Sequence, residues 1–599
     1  MREISLRNRV SSPGGWMGVF GCLALAALIS SCSGLPEPGG PRIHEIQGRS
    51  HRSPYHGRDV AGVVGIVTFT GKDHFFLQDP VPDQDDSTSE ALRVYVGKKV
   101  AVPARGDRVM VFGRVTEYYP GGKKTGNLPM TGIEATAVDL IASDRPLPAF
   151  VTIAAGGRLP PGKIIDNDSV GGEPENPATP FDPAQDGIDF YESLEGMLVE
   201  IDEAIVVGPS NKYSEAWIIP GRAGDFGLRT PRGGLLLRED DRNPERMKVR
   251  VGKSPGWNVG DALKDVRGVL DYSYGNFVLR LLGTPVHEDR GLEPEVTSLR
   301  GNETHLSVAS YNVLNFSAVA VDRAGLIAAQ LVGNLGSPDL VALQEMQDNN
   351  GPLADGGADA SESFKVLVSA VAAAGGPSYD FLQINPGSGK DGGQPGGNIR
   401  VGFLFNPARL KIVRYREEKD GLPPSPSRIG VGSPAFQSSR KSLFCEFLFG
   451  SSRIFVINNH LSSKFGSPPM YGSRQPPANG GFDRRVAQFG EISAVADRIA
   501  TAVPGAAILV LGDFNEFPFE EPMKSAGAGK ARLKKLSELL PLPERYTYNF
   551  QGNSQTLDHV LVSERLAAGA EYDVVHVNSE FAVQTSDHDP VVARLKLPR

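Results

Sequence analysis

The pattern of apolar and polar residues divides the chain into two parts. Between residues 60 and 288, short runs rich in β-branched and aromatic residues alternate with turn residues, as in VAGVVGIVTF and DRVMVFGRV. This pattern is typical of small β-barrels or sandwiches. From His305 onward, apolar strand-like runs alternate with amphipathic helical stretches such as DRAGLIAAQLVGNL. The second part is therefore predicted to be a layered α/β domain.

The predicted domain boundaries follow these changes of pattern. In chain order they are a signal segment at 1–32, a tether at 33–55, an all-β module at 56–148, a loop at 149–194, a second all-β module at 195–288, a linker at 289–304 and the α/β domain at 305–599. A Gly-Asp turn precedes a similar strand at Gly106-Asp107 and again at Gly260-Asp261. This weak internal repeat suggests that the two β modules are related.

Nearly every apolar strand of the α/β part ends on a polar side chain. The run Ala507–Leu511 is followed by Asp513 and Asn515, whose spacing of two points both to one side of a strand. An Asp-x-Asn turn that bonds its own backbone is the alternative interpretation. Glu345 ends the apolar run DLVALQEM, where a charge is costly without a partner. A divalent cation or a basic side chain would supply that partner.

Composition narrows the class of protein. The 599 residues are 40% hydrophobic and 22% charged, which excludes a polytopic membrane protein. The net charge of -8 argues against a protein that coats DNA by bulk electrostatics. The three cysteines, Cys22, Cys32 and Cys445, provide neither a disulfide framework nor a zinc site.

The N-terminus has the pattern of an export signal. Basic residues precede the apolar run Trp16–Ile29, which is too short to span a bilayer. The sequence that ends this run, Ile29-Ser30-Ser31-Cys32, resembles the bacterial lipobox. The resemblance implies that Cys32 is the lipidated first residue of an exported outer-membrane lipoprotein, facing the periplasm or the cell surface. An ordinary signal peptide is the alternative.

Six motifs of the α/β part occur in the order of one known group of enzymes: SYNVLNF, LVALQEM, INNHLSS, LGDFNEF, LDHVLVS and SDHDPV. Together they resemble the endonuclease/exonuclease/phosphatase superfamily. The resemblance implies a four-layer α/β sandwich, in which two packed β-sheets are flanked by helices. The preceding β modules resemble the OB-like modules of some secreted bacterial nucleases, and OB folds often bind oligonucleotides.

The resemblance also assigns roles to individual residues. The catalytic candidates are His460, Asp513, Asn515, Asp558 and His588. The metal-binding candidates are Asn312, Glu345 and Asp587, and the substrate-binding candidates are Arg400, Arg440 and Lys464. Asp558 is expected to orient His588, while the choice of general base between Asp513 and His588 stays open.

The sequence thus predicts an exported, membrane-anchored, metal-dependent phosphodiesterase. The expected activity is endonucleolytic hydrolysis of DNA, with RNA as an alternative substrate. Mg²⁺ or Mn²⁺ is the implied cofactor, and Ca²⁺ stays open. The expected partners are nucleic acid and, through the lipid anchor, a membrane, with no obligate protein partner. A sphingomyelin or phospholipid phosphodiesterase and a non-catalytic surface binding protein are the competing hypotheses.

Overall fold

The computed structural model describes residues 39–98, 100–221 and 226–597 of the chain. The predicted signal segment at 1–32, and with it Cys32, lies outside the described residues. Within these ranges, the helices are all too short or too polar to cross a bilayer.

The first folded unit is a closed barrel. Its strands are β1 (Asp59–Thr70), β2 (His74–Gln78), β3 (Ala91–Tyr95), β4 (Arg108–Tyr118) and β5 (Met130–Ala142). Their order around the barrel is β1-β2-β3-β5-β4, with β3 and β5 parallel and the other neighbours antiparallel. Val63, Val67, Val94 and Val109 are buried inside it, where β-branched side chains pack well on a pleated surface.

A short helix, α1 (Ile43–Gln47), precedes this barrel. It lies within the stretch predicted to be a tether. Ile43 and Ile46 are fully buried in the barrel core, and burying such a side chain stabilises a fold by about 1.5–3 kcal/mol. The prediction of a tether is therefore wrong for the part that contains α1, which belongs to the folded unit.

The second unit is also built around a ring of strands. Its elements are β6 (Val151–Thr152), α2 (Gly187–Glu192), β7 (Leu198–Gly208), β8 (Glu215–Pro220), β9 (Leu228–Arg229), β10 (Leu235–Leu236), β11 (Met247–Arg250), β12 (Ala262–Ser273), β13 (Asn276–Leu281) and β14 (Val286–Glu288). The ring follows the order β7-β8-β11-β13-β12 and closes through the pairing of β12 with β7. Strands β11 and β13 are parallel, so the connectivity equals that of the first barrel.

The C-terminal domain contains most of the helical residues among those described. Its elements are β15 (His305–Phe316), α3 (Val321–Ala329), β16 (Leu340–Met346), α4 (Ser361–Ala373), β17 (Asp380–Gln383), β18 (Arg400–Phe405), β19 (Leu410–Val413), β20 (Ser427–Ile429), β21 (Ser442–Phe449), β22 (Ser452–His460), α5 (Phe482–Ala502), β23 (Ala507–Asp513), β24 (Lys534–Lys535), β25 (Tyr548–Phe550), β26 (Asn553–Gln555), β27 (Asp558–Val562), α6 (Glu564–Ala567), β28 (Glu571–Val574) and β29 (Val591–Lys596).

Two mixed sheets form the centre of this domain. One has the order β17-β18-β16-β15-β29-β28, and the other has the order β19-β21-β22-β23-β27-β24 with β20 beside β21. Their inner faces share one apolar core, in which Phe403 and Phe447 meet edge to face. Helices α3 and α4 cover the outer face of the first sheet, and α5 covers that of the second. The predicted α/β sandwich is confirmed.

The barrels and the C-terminal domain are packed together. Strand β10 of the second barrel pairs in parallel with β26, which gives a small sheet of order β25-β26-β10-β9. Tyr471, from the loop between β22 and α5, lies in the core of the second barrel. Its hydroxyl donates a hydrogen bond of 2.7 Å to the carbonyl of Pro244. The β25–β26 hairpin of the C-terminal domain is thus also supported by a strand of the second barrel.

Candidate active site

Three polar residues lie side by side at one end of the second sheet. Strand register pairs His460 of β22 with Asp513 of β23, and Asp513 with Asp558 of β27. The preceding residues of β23 are apolar and buried, so its polar end is fixed rigidly. These three residues of the site are therefore brought together by sheet register.

An Asp–His pair forms the centre of the site. His588 Nδ1 lies 2.7 Å from Asp558 Oδ2, and the same carboxylate oxygen accepts a 2.7 Å hydrogen bond from the Thr547 hydroxyl. Burial lowers the pKa of the His588 imidazole, but the Asp558 and Asp513 charges more than offset it and raise the pKa well above its ordinary value. His588 is therefore held as an imidazolium, with Nε2 3.9 Å from Asp513 Oδ2.

Asp513 lies between this pair and the first sheet. Its Oδ1 accepts the backbone N–H of Asn515 at 2.8 Å, and its Oδ2 accepts the side-chain amide of Asn515 at 3.2 Å. Asn515 has φ of +51°, a left-handed conformation that this turn requires. Burial raises the pKa of Asp513 to about 7, against the opposing charge of His588. Asn515 therefore holds Asp513, as predicted from the spacing.

Glu345 comes from the first sheet and faces Asp513. The ladders of β16 are interrupted at this residue, where φ is +60°. Backbone strain of this kind clusters at functional sites. Glu345 Oε2 accepts the backbone N–H of Asn315 at 2.9 Å. Burial, and after it the nearby charge of Asp587, raise the pKa of Glu345, so these two carboxylates lie close enough to repel each other.

The residues present fit a divalent cation. Asp587 Oδ1 is buried and has no hydrogen-bond partner, which is costly for a carboxylate oxygen. It lies near Glu345, and the two negative charges repel each other. Two carboxylates with one unsatisfied oxygen form the sparse oxygen site that Mg²⁺ or Mn²⁺ takes, with water filling the other positions. Glu345 and Asp587 are the residues that would hold such an ion.

Asn312 bridges two carboxylates of the site. Its amide nitrogen donates to Asp513 Oδ2 at 3.1 Å and to Glu345 Oε1 at 3.3 Å. Its amide oxygen accepts the backbone N–H of Leu314 at 3.0 Å and has a second lone pair. The role of Asn312 as a metal ligand stays a prediction.

Two further predicted residues border the carboxylates. His460 Nε2 lies 3.6 Å from Asp513 Oδ2 and 3.8 Å from Glu345 Oε1. Burial and the charge of Arg440 lower the pKa of His460 well below its ordinary value, so it is neutral. Arg440 is buried and donates to the carbonyl of Leu461 at 2.6 Å. Its Nε has no partner, which leaves a cationic donor free beside the site.

Arg400 and Lys464 both hold loops together. The Arg400 guanidinium donates to the carbonyl of Ala358 at 2.6 Å and to the carbonyl of Asn398 at 2.9 Å, while its buried Nε has no hydrogen-bond partner. Burial lowers its pKa to about 10. Lys464 donates to Glu516 Oε1 at 2.5 Å and lies over the Phe517 ring. Substrate binding by Arg400 and Lys464 stays a prediction.

The sequence did not reveal two residues of the site. The Tyr548 ring lies 4.7 Å from the His588 ring, centroid to centroid, and the two backbones form an isolated bridge. The Arg323 guanidinium donates to the carbonyl of Thr585 at 3.1 Å and also to that of Val313, which ties the loop before Asp587 to β15. The alternation of Tyr548 and Phe550 before a Gly turn was the only sequence signal for the first of these.

Comparison with known proteins agrees with this site. Residues 309–588 match the model of the Endonuclease/Exonuclease/phosphatase family. The matched range contains both members of the Asp558–His588 pair and most of the α/β sandwich. The C-terminal domain of the chain belongs to that family. Residues 152–289 match a domain of unknown function (DUF8508), which spans the second barrel and the loop before it.

Solved structures resemble this chain over about half of its length. D. rerio TDP2 complexed with single strand DNA product is 18% identical, covers 49% of this chain and 99% of its own, and has a TM-score of 0.32. The human Nocturnin catalytic domain with bound sulfate anion is 16% identical, covers 49% of this chain and 95% of its own, and has a TM-score of 0.34. An endonuclease/exonuclease/phosphatase family protein from Bacteroides thetaiotaomicron is 17% identical, covers 49% of this chain and 96% of its own, and has a TM-score of 0.33. No curated protein matches the chain. Because these scores are low, the assignment rests on the family model.

Proposed function

We propose that this protein is a metal-dependent phosphodiesterase that cleaves DNA as an endonuclease. The observation that carries the proposal is the buried His588–Asp558 pair facing Asp513, next to two carboxylates of which Asp587 has an unsatisfied oxygen. Phosphodiester hydrolysis requires a positioned water and groups that stabilise charge on the phosphoryl oxygens. This cluster supplies both.

Each residue of the cluster has a role that follows from its surroundings. Asp558 orients the imidazolium of His588, which binds a phosphoryl oxygen by a charge-assisted hydrogen bond. Asp513, held by Asn515 and Asn312, accepts a proton from the attacking water once it is ionised. His460 and Arg440 flank it as a neutral donor and a cation. Glu345 and Asp587 would hold Mg²⁺ or Mn²⁺, which would stabilise charge on the phosphoryl oxygens.

The surfaces around the site support a nucleic acid substrate. Tyr548 and Phe550 are stacked, with ring centroids 6.4 Å apart at an interplanar angle of 14°, and Phe550 is 49% exposed. In the first barrel, the Arg93 guanidinium lies 4.5 Å from the centre of the exposed Tyr118 ring. Bases stack on such aromatic and cationic platforms. We infer that both barrels are OB-like, since their third and fifth strands are parallel in a closed five-strand ring.

A cleavage assay tests the proposed function. The purified protein is incubated with supercoiled plasmid, single-stranded DNA, RNA and sphingomyelin vesicles, in Mg²⁺, in Mn²⁺ and in EDTA. We expect nicking of the plasmid that EDTA stops, and at least a hundredfold slower nicking by His588→Ala. Hydrolysis of sphingomyelin with inert nucleic acids would instead establish the lipid phosphodiesterase. If all four substrates stayed intact, the hypothesis of a non-catalytic binding protein would stand.

Export and anchoring are proposed from the sequence of the N-terminal segment. Its short apolar run and the Ile29-Ser30-Ser31-Cys32 sequence support a lipoprotein of the outer membrane. Expression in a diderm bacterium with labelled palmitate should label the wild-type protein in the outer-membrane fraction. The Cys32→Ser variant should be unlabelled and released from that fraction. Equal labelling of both would refute the anchor.

A further inference from the structure

A second group of carboxylates lies far along the chain from the active site, in the loop before α2. The carboxylate oxygens of Asp166, Asp168 and Asp186 lie within 4.8 Å of one another. Those of Asp182, Asp186 and Asp189 do so as well. Asp186 belongs to both triads, so it is the centre of the group.

Asp186 is buried at the centre of the group, and Asp166, Asp168 and Asp182 around it are partly buried. Asp186 is 1% exposed, and its Oδ1 has no hydrogen-bond partner. One oxygen each of Asp168 and Asp182 is also buried and unpaired. Over the described ranges, no lysine or arginine forms an ion pair with Asp166 or with these three residues. Burial, and after it the charge of Asp182, raise the pKa of Asp186 to about 7. A cation is therefore the missing component.

Asp166 accepts hydrogen bonds from the backbone N–H and the hydroxyl of Ser169, and Asp189 is hydrogen-bonded as well. Its Oδ1 lies 2.7 Å from His51 Nε2, and its Oδ2 accepts the backbone N–H of Asp182 at 2.8 Å. Asp189 therefore links Asp182 to the N-terminal segment. The unpaired buried oxygens of the group belong to Asp168, Asp182 and Asp186.

We propose that Asp166, Asp168, Asp182 and Asp186 bind a Ca²⁺ ion. Ca²⁺ takes oxygen ligands at about 2.3–2.6 Å, so any two of its ligands lie at most about 5 Å apart. Within each triad the ligand atoms lie within 4.8 Å of one another, which fits that requirement, and Asp186 joins the two triads. Ligands from two separate stretches of an irregular loop suit the flexible coordination of Ca²⁺. Mg²⁺ demands a regular octahedron and keeps its water, so it suits this loop less well.

The position of the ion explains what it would do. The loop between the two barrels contacts the first barrel, where the Tyr119 hydroxyl donates to Glu175 Oε2 at 2.6 Å. It contacts the C-terminal domain, where the backbone N–H of Gln475 donates to the carbonyl of Gly172 at 3.0 Å. An ion that fixes both ends of this loop therefore stabilises the contact of all three domains. This role is independent of the catalytic reaction.

Calcium titration of the full chain tests the proposal. To remove the catalytic metal site, the parent protein carries Glu345→Gln and Asp587→Asn. We expect calorimetry to show one Ca²⁺ per chain with a dissociation constant of about 1 mM or tighter. Saturating Ca²⁺ should raise the unfolding temperature by about 5 °C, and Mg²⁺ should raise it less. Absence of calcium binding would overturn the proposal, and an equal effect of Mg²⁺ would overturn the choice of ion.

Variants separate an ion site from a group of carboxylates that share a proton. In EDTA, Asp186→Asn should unfold at a higher temperature than the parent, because it removes repulsion. In Ca²⁺ it should unfold at a lower temperature and bind no ion. Asp202→Asn, which changes an exposed carboxylate of the same barrel, should match the parent in both conditions. If Asp186→Asn does not fold, Asp168→Asn gives the same comparison, and an unchanged calcium response in it would refute the site.

Discussion

At the scale of single residues, the proposed reaction depends on the buried pair of His588 and Asp558. Replacing Asp558 by Asn keeps the shape but removes the charge that holds His588 as an imidazolium. We expect kcat to fall by about a hundredfold or more, with KM changed much less. Steady-state kinetics on a nicked-plasmid assay at saturating Mg²⁺ measures both constants.

The matched control is Asp420→Asn. Asp420 is exposed and has φ of +52°, a conformation that Asn tolerates. We expect it to keep wild-type kinetics. Near-normal kcat in Asp558→Asn would contradict the role given to the pair.

The pKa of Asp513 predicts a pH dependence. Burial raises this pKa to about 7 from its ordinary value of 3.8, so the proton acceptor is mostly neutral at pH 5. We expect kcat/KM to rise about tenfold per pH unit below the pKa and to level off above it. The folded state favours the neutral acid, so this group costs folding free energy as the pH rises from 3.8 to about 7.

A pH profile between 5 and 9 checks this expectation. Asp513→Asn should abolish the rising limb along with most of the activity. A wild-type profile that is flat across this range would rule out Asp513 as the titrating acceptor.

The sequence predicted those residues of the site that lie at the ends of strands. Asp513 ends β23 and Asp558 begins β27, so antiparallel register pairs them, and Glu345 lies near the end of an apolar strand of the other sheet. The loop contacts of Arg400 and Lys464 were not predicted, because a cation's partner depends on loops, which have no periodicity. Tyr548 was missed because its partner His588 lies forty residues away along the chain, and a three-residue strand gives no pattern.

At the scale of secondary-structure elements, the β25–β26 hairpin forms one wall of the site. Its Tyr548 ring packs against His588, and no hydrogen bond of the Tyr548 hydroxyl is seen within the described residues. Tyr548→Phe should therefore keep kcat, since the ring is what orients the imidazole. Tyr548→Ala should lower kcat about tenfold or more by releasing it. Parallel kinetics on both variants provide the measurement, and equal loss in both would assign the effect to the hydroxyl.

The N-terminal segment is fastened to α2 through His51. This imidazole lies between Asp189 and Glu192. Burial lowers its pKa, but these two charges more than offset this and raise it to about 10. The stabilisation is fully present below the ordinary pKa of 6.5 and is lost as the pH rises through about 10. His51→Gln should therefore cost about 3 kcal/mol at pH 6 and much less at pH 10.

Chemical denaturation at both pH values measures this difference. His56→Gln changes an exposed histidine of the same segment and should have little effect at either pH. A pH-independent loss in His51→Gln would show that packing, not charge, provides the stabilisation.

At the scale of the whole molecule, the three domains form one packed body. The sequence predicted the barrels from strand-like runs, because each barrel core is built from the alternating residues of its own strands. It predicted no contact between domains, since Tyr471 stands in the Gly- and Pro-rich stretch FGSPPMYGSRQPP, where no pattern marks a buried residue. Long-range contacts of this kind are determined by three-dimensional packing.

Tyr471 is therefore the place to test whether the barrels and the catalytic domain unfold together. Its ring packs edge to face on Tyr191 and Phe277 of the second barrel, at centroid distances of 6.0 and 5.6 Å. Tyr471→Ala should cost about 3–5 kcal/mol. Tyr471→Phe should cost about 1–3 kcal/mol, because it leaves the carbonyl of Pro244 without its donor. Denaturant unfolding measures the loss of stability in both variants, and Tyr213→Ala, at an exposed tyrosine, is the control.

The unfolding transition of Tyr471→Ala shows whether the active site depends on the barrels or is complete without them. If the domain contact holds the β25–β26 hairpin against the active site, Tyr471→Ala should lose nuclease activity at the same denaturant concentration at which the barrel signal is lost. The reason is that β10 and β26 share one sheet, so opening the barrel withdraws support from Tyr548. Activity that persists after the barrel has unfolded would show that the catalytic domain is complete by itself, and the barrels would then serve only to bring substrate to it.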